Sequence, residues 1–215
     1  MTDDHPTATS VHALDAATAA LVVLAAEIAA GDEGDVRRAV QRALQAAAPH
    51  LWIEELVLQS YLFAGFPRTL NAGRVWRKMS GRPAPPAVPP AAGDRERWRT
   101  LGERTCAIVY GASYERLRVN IRALHPELDD WMIVEGYGKV LSRPGLDLVR
   151  RELCIVAVCA VTGQERQLHS HLRGARNAGA SADQVRDVLS LVAPRVGAER
   201  AERNVRLLER TQSGA

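Results

Sequence analysis

From Ala16 onward apolar residues recur at spacings of three and four, the pattern of helices that bury one face. Leu21, Leu24, Ala25 and Ile28 define a first helix, which Gly31-Asp32-Glu33-Gly34 breaks. Val36, Ala39, Val40, Ala43 and Leu44 carry the pattern into a second helix. A third apolar run spans Leu51 to Phe63, and Gly65-Phe66-Pro67 closes it. Residues 1–15 are polar and aperiodic, which predicts a loose tail. Five prolines between Pro83 and Pro90 exclude helix and sheet there, so residues 81–95 read as an extended linker. Helical pattern resumes from about Arg95 to Arg122. His125-Pro126-Glu127 opens another helix through Trp131 and Val134 to Tyr137, with Pro126 suited to a first turn. Ser142-Arg143-Pro144-Gly145 is a turn. Leu146 to Thr162 is strongly apolar, Gly163 interrupts, and Glu165 to Asn177 forms a shorter helix ending at Gly179. Ser181 and Gln184 make a capping box for a helix to about Val192, and a charged helix runs from Ala198 to Arg210. No strand pattern competes, so the fold class is all-α.

An offset of 132 residues superimposes the first half on the second without a gap. Leu21 falls on Leu153, Gly31 on Gly163, Glu33 on Glu165, Gly65 on Gly197 and Arg68 on Arg200. Matched helix-breaking glycines at one constant offset predict an internal repeat. The chain thus divides into a tail (1–15), a divergent first repeat (16–80), the linker (81–95) and a second domain (96–215).

The length of 215 residues and an apolar content of 47% suffice for one sizeable core. Twenty-eight basic against 25 acidic residues leave a net charge of +3, which argues against a nucleic-acid partner. No uncharged apolar run is long enough to span a membrane. The acidic start of the chain is unlike an export signal, and Cys106, Cys154 and Cys159 do not form a disulfide framework. Both point to a cytoplasmic location.

Chemistry concentrates after Gly163. At 100° per residue, Gln164, Gln167 and His171 share one helix face, whereas His169 lies on another side and makes no metal pair with His171. Glu152 stands inside the apolar stretch twelve residues before Gln164. It reads either as a helix-surface carboxylate paired with an arginine or as one member of a Glu–His pair at the bottom of a cleft. Cys154 and Cys159, five apart, face different sides of a helix and read as packing.

The stretch Ser142-Arg143-Pro144-Gly145-Leu146, then Arg151-Glu152-Leu153, then His171-Leu172-Arg173-Gly174-Ala175 with Asn177-Ala178-Gly179, resembles the carboxymuconolactone decarboxylase family. Alkylhydroperoxidase D belongs to the same superfamily. His125-Pro126, Trp131 and Tyr137-Gly138 look like the decarboxylase branch. The resemblance implies an alkylhydroperoxidase D-like helical fold, here with two repeats in tandem. It also implies catalytic roles for Glu152 and His171. The peroxidase motif of the superfamily places C-x-x-C where this chain has Gln164 and Gln167, so disulfide-cycling chemistry is not expected. In the first repeat the positions of Glu152 and His171 are Ala20 and Ala39, so that copy reads as structural.

What the resemblance implies instead is a lyase of aromatic catabolism that needs no cofactor and no metal. It would take carbon dioxide from a small unsaturated lactone acid, with His171 returning a proton to the enolate. Gln164 and Gln167 would donate hydrogen bonds to the oxyanion, and Trp131, Tyr137 and Arg143 would bind substrate. Arg151 and Arg173 are further candidates for the anion. The alternatives are a non-catalytic binding or scaffold member of the fold and, third, a peroxidase. Single-copy relatives form rings of paired subunits, so a tandem chain implies a homo-oligomer, a trimer in preference to a dimer.

Overall fold

The computed structural model describes residues 13–213 apart from residue 90, and among them there is helix and no strand. The expected loose tail lies outside the described residues except for its last three positions. Helix α1 (Ala16–Ala30) starts where Asp15 accepts a hydrogen bond from the Thr18 amide at 2.8 Å. Its alanine-rich sequence lets it pack closely on several neighbours. Helix α2 (Glu33–Gln45) opens with a reciprocal Asp32–Asp35 capping box. Helices α3 (His50–Gln59) and α4 (Tyr61–Ser80) follow. Gly65 breaks the helix at the end of the third apolar run, as expected. It inserts one left-handed residue (φ 79°, ψ 162°), Pro67 fits the first turn that follows, and α4 runs on to Ser80. Residues 81–89 are exposed and carry no helix.

The helix expected over 95–122 is two helices. Gly111 (φ 50°) turns the chain through a short 3-10 segment between α5 (Asp94–Tyr110) and α6 (Tyr114–Leu124). Helix α7 (Pro126–Trp131) passes into ten residues of π-helix, Met132–Leu141, a rare geometry associated with functional sites. Two glycines explain how that segment sits so close to α5. A Cβ on Gly102 would lie 2.0 Å from the Ile133 carbonyl oxygen, and one on Gly138 would lie 2.0 Å from that of Trp98. Any side chain at either position would force the two backbones apart.

Helix α8 (Leu148–Thr162), capped by Asp147, is the centre of the core and is buried continuously from Arg151 to Val161. It packs on α1, on α9 (Glu165–Asn177) and on α10 (Ala182–Val196), with α11 (Ala198–Ser213) closing the far side. The Ser181–Gln184 capping box forms as expected, but α10 continues through Pro194 to Val196.

The offset of 132 recurs in the geometry. The bounds of α1 and α2 plus 132 are those of α8 and α9. Gly65 and Gly197 have φ/ψ of 79°/162° and 79°/161°. Arg68 donates to the Gly31 carbonyl at 3.0 Å, and Arg200 donates to that of Val161 at 3.0 Å, each capping the C-terminus of a central helix. Thr18 and Arg150, themselves 132 apart, meet at 2.8 Å where α1 crosses α8.

Candidate active site

The hairpin of α8 and α9 brings two residues nineteen apart into contact. His171 Nδ1 and Glu152 Oε2 are 2.8 Å apart, and both side chains are buried. Gly174, one turn past His171, makes this approach possible. A Cβ there would lie 2.8 Å from Glu152 Oε2 and 2.6 Å from a methyl carbon of Val109. The other carboxylate oxygen, Oε1, is buried without a protein partner, so the carboxylate of Glu152 spends its side-chain hydrogen bonding on His171. With Nδ1 occupied, Nε2 is the ring nitrogen left for chemistry.

His171 forms part of the wall of a cavity of about 910 Å³. The rings of Phe63 and Tyr110 stand edge-on to its imidazole, with centroids 5.8 Å and 6.4 Å away. Tyr137, carried by the π-helix, packs edge-on against Tyr110. Burial pushes the Tyr110 hydroxyl up to about 12, with the Glu152 charge adding to the effect. Burial likewise raises Tyr137 well above the ordinary tyrosine range. Both therefore stay protonated, as hydrogen-bond donors, throughout the neutral range. Trp131 is 55% exposed at the cavity edge.

Arg143 also lines the cavity, through the turn before α8. Its guanidinium grips Glu55 of α3 with contacts of 2.9 to 3.1 Å. Glu55 also accepts from Arg151 at 2.8 Å, and Arg151 is fully buried. Arg151 is therefore a structural cation between the two halves of the chain and not a substrate contact. Arg173 is exposed and faces a separate polar recess with His169.

Gln164 and Gln167 are not where the sequence places them. Residues 163–167 are all exposed, and neither amide lines the cavity. Gln164 precedes the helix (φ −85°, ψ 72°), so the 100° rule does not apply to it. Gln167 lies in the open first turn of α9, one turn nearer the loop than His171. The three cysteines are buried and unpaired, and burial raises each thiol to about 12. Among the described residues no cluster of metal-capable side chains occurs.

Sequence reasoning missed Phe63, Tyr110 and Glu55 as parts of this site. Phe63 ends the third apolar run, but nothing local shows that it meets a histidine more than a hundred residues away.

The carboxymuconolactone decarboxylase family model matches residues 126–210, from α7 into α11, a span that holds both Glu152 and His171. Peroxisomal protein 2 of Schizosaccharomyces pombe is 28% identical over 152 residues, which cover 67% of this chain and 70% of that protein. The 4-carboxymuconolactone decarboxylase of Acinetobacter baylyi is 26% identical over 96 residues, 45% of this chain and 72% of that enzyme. Residues 126–210 of the chain are thus similar to the carboxymuconolactone decarboxylase family.

Proposed function

We propose that this protein is an acid–base enzyme that moves a proton at a carbon next to a carbonyl, with His171 as the proton carrier and Glu152 as its orienting partner. The observation that carries this reading is the buried 2.8 Å contact between them, opening onto an aromatic-walled cavity. Glu152 as carboxylate holds the proton on Nδ1 and leaves the Nε2 lone pair free to accept a proton from substrate. The imidazolium so formed is stabilised by Glu152 and can return the proton to the same or another carbon. Loss of carbon dioxide from the substrate is one way to generate the enolate it protonates. Because the Tyr137 hydroxyl is paired with that of Tyr110, the protonated Tyr110 hydroxyl is the oxyanion donor in place of Gln164 and Gln167.

We also read residues 16–80 and the helices from α8 onward as two copies of one helical unit, on the strength of the constant offset. The peroxidase reading has no support, because a thiol raised to about 12 supplies almost no thiolate at neutral pH.

The test is carbon–hydrogen exchange in D₂O, followed by NMR over a panel of keto acids and unsaturated lactone acids, with carbon dioxide release measured in parallel. His171→Ala should lower exchange by about 10²–10⁴-fold while the helical circular dichroism is retained. Glu152→Gln should lower it less. Wild-type exchange rates in His171→Ala would end this assignment. Saturable binding with no exchange anywhere in the panel would make the protein a binding member of the fold.

A further inference from the structure

Resting on the acid–base reading, we propose that the first half of the chain is the specificity element for the site in the second half. It would select an acid with an extended apolar or aromatic body over a small lactone acid. The cavity volume of about 910 Å³ lies near the top of the range that encloses drug-sized ligands, about 300–1,000 Å³. A small lactone acid would leave most of that wall in water.

The wall itself has a divided origin. Leu58, Tyr61, Leu62, Phe63 and Phe66, all from α3 and α4, line the cavity that contains His171. Adding 132 to these positions gives Ser190, Ala193, Pro194, Arg195 and Ala198, none of them aromatic or a large aliphatic residue. Subtracting 132 from Glu152 and His171 gives Ala20 and Ala39. Each half thus lacks what the other supplies. One has the reactive pair without the bulky apolar segment, and the other has the segment without the pair.

Arg195, the counterpart of Phe63, shows the other outcome. It donates to the Ala30 carbonyl at 2.8 Å and lies 3.1 Å from Asp35 and 3.6 Å from Glu27. Where Phe63 presents a ring to an open cavity, Arg195 fills its own position with ion pairs. The apolar segment is ordered for contact, since Tyr61 and Phe66 stack with centroids 5.2 Å apart. The charges on the wall are mostly spent, because Lys139 pairs with Glu135 at 3.2 Å and Arg143 with Glu55. Glu55 nevertheless faces two guanidiniums, so the Arg143 end of the wall stays net cationic and suits one carboxylate head. The body of the ligand would then run along Tyr61 and Phe66 toward Trp131.

Calorimetric titration of the full chain with ω-phenylalkanoates, from phenylacetate to 8-phenyloctanoate below their micelle concentrations, tests this without turnover. Each fully buried methylene contributes about fourfold in affinity, so at least a tenfold rise is expected along the series. Phe63→Ala and Phe66→Ala should each weaken 8-phenyloctanoate at least fivefold and flatten the rise in affinity along the series. Phe66 is 64% exposed, so its removal leaves the core intact. A flat series, or a series unchanged in both variants, overturns the inference whatever the exchange assay shows. If the acid–base reading alone is wrong, the length dependence survives, and it should also survive in His171→Ala.

Discussion

Glu55 joins the two halves of the chain, and replacing it by glutamine isolates what that junction contributes. The carboxylate is 3% exposed and faces Arg151, which is 0% exposed, at 2.8 Å. Glu55→Gln keeps the shape and leaves Arg151 most of its hydrogen bonds, to the Leu146 and Arg143 carbonyls and to Gln59. What it removes is the compensating charge, since burial already disfavours the guanidinium of Arg151. Breaking a buried pair by removing one partner costs about 3–5 kcal/mol. Arg143 is partly exposed and can find water instead, so its own loss adds little. For a chain of this size each kcal/mol moves the midpoint by about 2–4 °C, so Tm should fall by about 6–20 °C. Urea unfolding followed by circular dichroism at 222 nm gives the free energy directly. Glu55→Leu combined with Arg151→Met should recover most of the loss, because a packed apolar pair avoids the desolvation cost. A cost below about 1 kcal/mol for Glu55→Gln would refute the argument, showing that Arg151 is solvated or compensated in some other way.

The features that were legible in the sequence are local ones. The bounds Glu165–Asn177 of α9 follow from Gly163 on one side and the Ala178-Gly179 turn on the other. The Ser181 capping box needs only four residues to be recognised. Glu152 and His171 stand out through the resemblance drawn from the sequence, and the α8–α9 hairpin brings their side chains to 2.8 Å. The departures from the sequence-based expectations have separate physical origins. Helical periodicity holds only inside a helix, and Gln164 sits just outside one, so its projected face was meaningless. Apolar spacing does not distinguish π- from α-helix, and the close approach of Gly102 and Gly138 to the opposite backbone is a tertiary feature that no local spacing shows. Phe63 and Glu55 act on residues about ninety or more positions away, and no window along the chain contains both partners.

Native protein at pH 8 should react with a disulfide reagent at none of its three thiols within minutes, because thiols raised to about 12 are almost entirely protonated, whereas all three should react in denaturant. Rapid labelling of any one in the folded state would contradict their burial. No hydroperoxide turnover above background is expected with a dithiol donor, and turnover that vanished in Cys154→Ser or Cys159→Ser would reverse that conclusion. Burial alone would raise the Asp129 carboxyl, but hydrogen bonds from Arg118 and Arg122 outweigh it and hold the group below the usual range. That stability is present above the unfolded value of about 3.9 and lost as pH falls through the lower folded value, so the gap between wild type and Asp129→Asn should narrow below about pH 4. The strictest test of the site's construction is Gly174→Ala. Helix propensity alone would make alanine more stable by about 1 kcal/mol. The new methyl, however, would meet Val109 at 2.6 Å on one side and the Glu152 carboxylate at 2.8 Å on the other, and both of these residues are buried. Overpacking of this kind costs about 1–3 kcal/mol, so net destabilisation is expected, together with loss of exchange activity as α9 moves off Glu152. A variant as stable as wild type in urea would show that α8 and α9 do not need their close approach, and that the contact between Glu152 and His171 is not built on this glycine.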